Sequence, residues 1–212
     1  MSSEVLEAKQ TEPRTPPPGL VTFEEFLVWC DEDTHAEWVD GAIIMMSPAS
    51  DHHQDISDFL ITVLRFYNEA HQLGWVRSAP FLMRTDLKPS GREPDILFVT
   101  KERMQLIQPT FLDGPADLIV EIVSPESIGR DRGDKFVEYE AAGIREYWLI
   151  DPLRQQVEFY QLDDKGLYRA AALDADGIYR SSVLAGFWLR APWLWQHPLP
   201  PVLSVLKELG VL

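Results

Sequence analysis

Apolar side chains recur every three or four residues between Ser50 and Gly74, which is the spacing of one face of an α-helix. Ser50 is a residue type that caps helix N-termini, and Gly74 suits a left-handed residue that closes a helix. The pattern predicts the longest helix of the protein over this segment. The residues of its apolar face are Ile56, Phe59, Leu60, Val63, Leu64 and Tyr67.

Shorter helices are predicted from local signals. Thr22 and Glu25 form a capping box, which predicts a short helix that ends near Cys30. The segment RDRGDKFVEYEAAG predicts a second helix, which Gly143 stops. Two further short helices are expected near residues 102–107 and 201–209.

Short apolar runs predict strands that are buried on both faces, most clearly at 95–99 and 117–124. Asp40 and Gly41 stand between two apolar-rich runs, which predicts a hairpin with a two-residue turn. This order of helices and strands indicates an α/β or α+β fold, with a central mixed sheet flanked by helices and extra C-terminal hairpins. Other strands are expected at 75–85, 146–150 and 157–162, with hairpins to about residue 190.

The chain divides into a short leader and one domain. Residues 1–19 are rich in proline and are predicted to be a disordered leader, and residues 20–212 have the length of a single domain. No apolar stretch approaches the roughly 20 residues that a membrane-spanning helix needs. The single cysteine and the polar N-terminus, which lacks the pattern of a secretory signal, predict a cytoplasmic protein.

Charge argues against a polyanionic ligand for the chain as a whole. The 19 basic and 34 acidic residues give a net charge of -15. The segment from Arg77 to Arg103, however, contains six basic and four acidic residues, so the acidic excess disappears locally. A bound metal cation would also change the sign of a site. Nucleic-acid binding therefore stays open.

Two carboxylates occupy unusual places in the predicted strands. Asp95 stands at the mouth of an apolar strand, and Glu121 lies in the middle of another one. A carboxylate inside such a strand is costly unless it is paired or binds a cation. Two carboxylates at the ends of neighbouring strands, completed by water, are the ligands that Mg²⁺ prefers. The alternatives are a turn cap for Asp95 and a buried ion pair of Glu121 with Arg145 or Lys135.

A basic residue near such a metal would orient the attacking water and balance the developing negative charge. Lys135 lies in the first turns of the helix that follows the Glu121 strand, so its side chain is long enough to reach the strand end. Asp131 is expected to cap this helix. Without further support, a lysine in a first turn is more commonly solvated.

The ordered set of these motifs resembles the PD-(D/E)XK nuclease superfamily, which has the restriction-endonuclease-like fold, and in particular its bacterial Uma-two branch. The resemblance spans residues 22–194, and only the ordered set is specific. It rests on EWVDG at 37–41, SP at 47–48, HQ at 53–54, EPDILFV at 93–99, DLIVEIVSPES at 117–127 and DKFVEYEAAGIREYWLIDP at 134–152.

The resemblance implies a metal-dependent phosphodiesterase site. Asp95 and Glu121 would hold Mg²⁺, or Mn²⁺, and Lys135 matches the catalytic lysine. Glu37 matches a further acidic residue that would bind the metal or its water. His53 is a weaker candidate, since it is also explained as an exposed residue near a helix start. DNA would be the substrate, and a homodimer is a family-level expectation.

One departure from the superfamily pattern concerns the lysine. The usual motif has a lysine two residues after the glutamate, where this chain has Val123. In the Uma-two branch the lysine is moved to the helix in a similar way. The main alternative is therefore a non-catalytic relative that uses the fold for interaction or dimerisation, which the acidic charge also favours. A more remote alternative is a metal-dependent hydrolase of a small phosphorylated substrate.

The tryptophan-rich segment FWLRAPWLW at 187–195 invites a base-stacking role. It lies in an acidic and apolar part of the chain. Burial of Trp188, Trp193 and Trp195 against the core or a second subunit is therefore expected instead.

Overall fold

The computed structural model of the protein describes residues 14–31, 34–86 and 88–212. Within these residues the α-helices are α1 (Phe23–Trp29), α2 (Asp51–His71), α3 (Lys135–Ala141) and α4 (Val202–Glu208). The strands are β1 (Ala36–Val39), β2 (Ala42–Met45), β3 (Gly74–Ser78), β4 (Leu82–Thr85), β5 (Ser90–Arg92), β6 (Ile96–Thr100), β7 (Phe111–Asp113), β8 (Leu118–Ile122), β9 (Glu146–Asp151), β10 (Gln156–Leu162), β11 (Tyr168–Ala170), β12 (Ile178–Arg180) and β13 (Trp188–Arg190). Short 3-10 helices span Lys101–Leu106 and Ala191–Trp195, and a π-helical turn spans Arg130–Asp134.

The strands form two mixed sheets and a small hairpin. The six-stranded sheet has the order β11-β10-β9-β8-β6-β3, in which only β8 and β9 are parallel. The five-stranded sheet has the order β2-β1-β5-β4-β7, in which only β4 and β7 are parallel. Strands β12 and β13 pair with each other. The predicted α/β class with mixed sheets flanked by helices is confirmed, although the strands divide between two sheets.

Strand β8 lies near the centre of the six-stranded sheet, and its side chains alternate between two cores. Leu118, Val120 and Ile122 belong to the core that α2 covers. Ile119 and Val123 belong to the core on the α3 side. Glu121 shares their face of the strand, so its side chain points toward α3.

The predicted hairpin is confirmed and positions Glu37. Strands β1 and β2 are joined by Asp40 and Gly41, which both have positive φ angles, 48° and 87°. Two positive φ values are those of a two-residue turn whose twist matches the twist of the strands. Glu37 lies in the middle of β1 and is completely buried.

The end of α2 differs from the prediction. Ser50 caps the helix as expected, since its side chain accepts a hydrogen bond from the His53 N–H. The left-handed residue at the other end is Gln72, with φ of 52°. Gly74 instead begins β3, where a Cβ atom would lie 2.1 Å from the carbonyl oxygen of Val99. Close packing of two backbones, and not a positive φ angle, is the reason for this glycine.

The predicted leader, residues 1–19, is described only in part, because residues 1–13 lie outside the described residues. Arg14 forms an ion pair with Asp31 at 3.1 Å. The Trp29 Nε1–H donates to the Thr15 carbonyl oxygen at 3.3 Å. The described end of the leader therefore lies against α1 and the residues that follow it.

The tryptophan-rich segment packs inside the protein, as predicted. Trp193 is buried in the core that α2 covers, and Trp188 packs against it with ring centroids 5.3 Å apart. Trp195 is partly buried against the same core. Among the helices in the described parts of the chain, none has the length and apolar character to cross a membrane.

Candidate active site

Asp95 and Glu121 lie side by side on neighbouring strands. Strands β6 and β8 are antiparallel, with Ile96 opposite Val120. Continued by one residue, this register places Asp95 directly opposite Glu121, and directly opposite side chains lie on the same face of a sheet. Both residues line a cavity of about 510 Å³ at this end of the sheet. The sequence prediction that the two residues converge is in agreement with this register.

Asp95 is held by one of its two oxygens. The backbone N–H of Ile122 donates to Asp95 Oδ2 at 2.6 Å, and His53 Nε2 lies 3.3 Å from the same oxygen. Burial alone would lower the pKa of His53, but its hydrogen bond with Asp95 and the charge of Asp95 raise that pKa overall. His53 thus reaches the candidate site from the first turn of α2.

Lys135 is the central positive charge of the site. It is almost completely buried, and its Nζ lies 2.9 Å from Glu121 Oε1, 3.1 Å from Glu37 Oε1 and 3.5 Å from Asp131 Oδ1. Burial would lower the pKa of Lys135, but the surrounding carboxylates, first of all Glu121, outweigh it and raise the pKa. Lys135 is therefore a fixed ammonium group and not a proton acceptor.

Glu121 accepts two hydrogen bonds at a single oxygen. The Lys135 ammonium and the Tyr139 hydroxyl, at 2.7 Å, both donate to Oε1. Burial, together with the neighbouring carboxylates, raises the pKa of Glu121 above that of a free glutamate in spite of the opposing effect of Lys135. The alternative of a buried ion pair with Lys135 is thus realised, whereas Arg145 instead pairs with Asp117 at 2.9 Å.

Glu37 lies behind Lys135 and is held on all sides. Its Oε1 contacts Lys135 and accepts the Glu93 N–H at 3.3 Å, and its Oε2 accepts a hydrogen bond from Arg92 at 2.9 Å. Burial would raise the pKa of Glu37, but Lys135 and Arg92 lower it. Glu37 is not among the residues that line the cavity. It fixes Lys135, while both of its own oxygens are occupied by protein groups.

Arg92 extends this buried network to a further carboxylate. Its Nε and Nη2 both donate to Glu138 Oε2, at 3.1 Å and 2.7 Å, while Nη1 holds Glu37. Ser90 also donates to Glu138. Side chains from β1, β5 and α3 are thereby joined, and this network couples the five-stranded sheet to the helix that carries Lys135. Sequence reasoning missed Arg92, because its partners Glu37 and Glu138 lie far from it in the chain.

The structure adds Glu93 and changes the role of Asp131. Glu93 lines the cavity, and burial followed by the charge of Glu37 raises its pKa to about 7. The prediction that Asp131 caps the following helix is wrong. Asp131 lies inside the π-helical turn, where its Oδ1 faces Lys135 and has no hydrogen-bond partner among the described residues.

The chemistry of the donor set suits a hard divalent cation. Within the described residues, no group of three or more His, Cys, Asp or Glu side chains is gathered to hold a metal by protein ligands alone. The hydrogen bonds of Asp95 and Glu121 leave Asp95 Oδ1 and Glu121 Oε2 without a described protein partner. Mg²⁺ is usually bound by one or two carboxylates and keeps several waters. Two cavity-lining carboxylates that each have an oxygen without a described protein partner fit this preference.

Comparison with known proteins agrees with this fold. A family model described as "Putative restriction endonuclease", that of Uma2, matches residues 23–192. A similar crystal structure is that of a putative nuclease belonging to DUF820 from Anabaena variabilis ATCC 29413. It has a TM-score of 0.70 and 19% sequence identity, and the match covers 82% of this chain and 97% of that one. No curated protein matches the chain.

The family match and the shared fold define a protein of the restriction-endonuclease-like nuclease class. Within that class, the chain belongs to the Uma2 family, because the matched residues make up well over half of it. The family resemblance predicted from the ordered motifs is thereby confirmed.

Proposed function

We propose that this protein is a Mg²⁺-dependent endonuclease that hydrolyses DNA phosphodiester bonds. The observation that carries the proposal is the pair of Asp95 and Glu121 on one wall of the cavity, with the Lys135 ammonium 2.9 Å from Glu121. The family to which the chain belongs supports nuclease chemistry. Mn²⁺ is an alternative ion with similar ligand preferences.

In this proposal, Asp95 and Glu121 would hold the ion through their free oxygens. A bound divalent cation supplies a water with a lowered pKa and polarises the phosphoryl oxygens. Lys135 places a fixed positive charge beside the carboxylates, where it favours the negative charge that develops during hydrolysis. Tyr139 and Glu37 act through their neighbours, since Tyr139 orients Glu121 and Glu37 orients Lys135. His53 orients Asp95.

The local charge supports a cation at this place. Six carboxylates line the cavity, whereas the permanently positive residues in its wall are Lys135 and Arg130. A divalent cation would reduce the repulsion among these carboxylates and allow a phosphate group to approach. A bound cation would therefore make a DNA substrate more compatible with the net charge of -15. The cytoplasmic location and the homodimer predicted from the sequence stay predictions.

Cleavage of supercoiled, linear and single-stranded DNA in Mg²⁺ or Mn²⁺ tests the proposal. Wild-type protein should cut at least one of these substrates, and Asp95→Asn and Glu121→Gln should lower the rate by about 100-fold or more. Glu102→Gln is the matched control, because Glu102 is exposed and lies outside this cavity. It should cut at the wild-type rate. Equal inertness of wild type and variants would contradict the proposal.

A non-catalytic interaction module is the second candidate. It is favoured by the tight engagement of Lys135 with three carboxylates and by the acidic charge. The same assay separates the two candidates, because an interaction module would cut no DNA with either metal.

A further inference from the structure

The wall of the cavity contains a positive side chain that its acidic neighbours leave unpaired. Lys135 is engaged by three carboxylates, but Arg130 forms no ion pair with any described residue. Its Nε atom is buried and has no hydrogen-bond partner in the described part of the chain. The six carboxylates in the same wall are Asp58, Glu93, Asp95, Glu121, Glu126 and Asp131.

This lack of a partner is unusual for an arginine in such surroundings. A guanidinium group carries five N–H donors and stays charged at all ordinary pH values. A buried donor without a partner is costly. Glu126 lies four residues before Arg130, at a spacing that allows pairing on a helix, yet the two form no ion pair. The donors of Arg130 thus remain available for an anion that enters the cavity.

The backbone places Arg130 in the same turn as two other residues of the site. The Lys135 N–H donates to the Arg130 carbonyl oxygen, five residues back, so the helix contains a π-helical turn at this point. Such turns are rare in proteins, and those that occur are frequently located at functional sites. Arg130, Asp131 and Lys135 all line the cavity from this single turn. The distortion of the helix therefore coincides with the part of it that faces the candidate site.

We propose that Arg130 binds a phosphate group of the DNA backbone in this cavity. The inference rests on the proposed nuclease function and assigns the residue that contacts the substrate phosphate. Arginine suits this task because its planar group donates two parallel hydrogen bonds to phosphate oxygens. The positive charge also offsets the repulsion between a phosphate and the carboxylates around it. Lys135 is less available, since an anion would have to displace its carboxylate partners.

The test is binding of a fluorescein-labelled 20-base-pair duplex, measured by fluorescence anisotropy in Ca²⁺ over a series of salt concentrations. Arg130→Gln should weaken binding about 10-fold and lower the slope of log K against log salt by about 0.9, the value for one phosphate contact. Arg130→Lys should keep the slope and lose part of the affinity, because it retains the charge without the paired hydrogen bonds. The melting temperature of Arg130→Gln should be no lower than that of the wild type, because the substitution removes a buried donor that has no partner among the described residues.

Arg169→Gln is the matched control, since it removes the same charge from an exposed arginine on β11, an edge strand of the sheet. It should leave affinity and slope unchanged. Equal slopes for wild type and Arg130→Gln would overturn the inference, as would a wild type that binds no duplex. A loss of slope in Arg130→Gln supports it even if no DNA is cut in Mg²⁺ or Mn²⁺, because cleavage tests only the proposed function.

Discussion

Lys135 Nζ lies 2.9 Å from Glu121 Oε1, although the two residues are 14 positions apart in the chain. In the usual superfamily motif the lysine stands two residues after the glutamate, on the same face of the strand. Here that position is Val123, which is buried in the core on the α3 side. The ammonium group reaches the same glutamate from the following helix instead. The lysine of the helix thus contacts Glu121 although it does not stand at the usual motif position.

Lys135→Met should lower the free energy of unfolding by about 3–5 kcal/mol, because Glu121 and Glu37 would be left buried without their common counter-charge. Urea denaturation at pH 7 measures the change. The double variant Glu121→Gln/Lys135→Met should lose less than the sum of the single losses, since it removes one of the uncompensated charges. Additive losses, or a Lys135→Met variant within 1 kcal/mol of wild type, would speak against this role.

Tyr139→Phe should destabilise the protein by about 1–2 kcal/mol, since it removes a hydroxyl that donates to the buried Glu121 carboxylate. Tyr168→Phe is a matched control, because the Tyr168 hydroxyl is buried and has no hydrogen-bond partner in the described residues. Its removal should change stability by less than about 0.5 kcal/mol or raise it slightly. Denaturation curves of the two variants, measured in parallel, check the difference. Equal effects would show that the hydroxyl of Tyr139 contributes nothing specific.

Much of this site could be predicted from residues that sit where physical chemistry disfavours them. Asp95 and Glu121 were visible because carboxylates are costly in apolar strands. The hairpin at Asp40 and Gly41 was visible because few residue types adopt positive φ angles easily. Lys135 was a candidate because of its place in the helix after the Glu121 strand, but only the family resemblance favoured it over a solvated lysine. A feature could therefore be predicted from the local sequence wherever one residue type was unusual for the segment around it.

The remaining features depend on contacts between distant segments. Arg92 meets Glu37 and Glu138 at sequence separations of 55 and 46 residues, which no local pattern encodes. Gly74 was assigned to a helix end because glycine commonly closes helices, whereas the approach of Val99 decides its position. The division of the strands between two sheets could not be predicted for the same reason, because strands that are distant in the sequence pair with each other.

Gly74→Ala should destabilise the protein by more than about 2 kcal/mol, because the new methyl group would overlap with the Val99 carbonyl oxygen at 2.1 Å. Gly133→Ala is the opposite case: a Cβ atom there meets no other group within 4 Å, and no positive φ angle is required. It should be neutral or stabilise by up to about 1 kcal/mol, since alanine reduces the entropy of the unfolded chain. Thermal unfolding distinguishes the two. A tolerated Gly74→Ala would contradict the close approach of the strands.

The stability contributed by Asp117 should depend on pH. Burial would raise the pKa of Asp117, but the Thr100 N–H and the guanidinium groups of Arg103 and Arg145 outweigh it and lower the pKa. The pKa of an aspartate in the unfolded chain is about 3.9. Because the pKa of Asp117 is lower in the folded protein, its charge stabilises the fold above about pH 3.9, and this stability is lost as the pH falls through the folded pKa. The advantage of wild type over Asp117→Asn should therefore shrink between pH 6 and pH 3. A constant difference would contradict this assignment.

The central claim is that Asp95 and Glu121 together hold a divalent cation, and titration of the protein with Mn²⁺ by calorimetry tests it without relying on activity. The wild type should bind Mn²⁺, and Asp95→Asn and Glu121→Gln should each weaken binding by about 10-fold or more. Asp58→Asn removes a carboxylate from the same cavity wall, outside the pair, and should bind like the wild type. No binding by the wild type, or equal affinity in all four proteins, would contradict the claim.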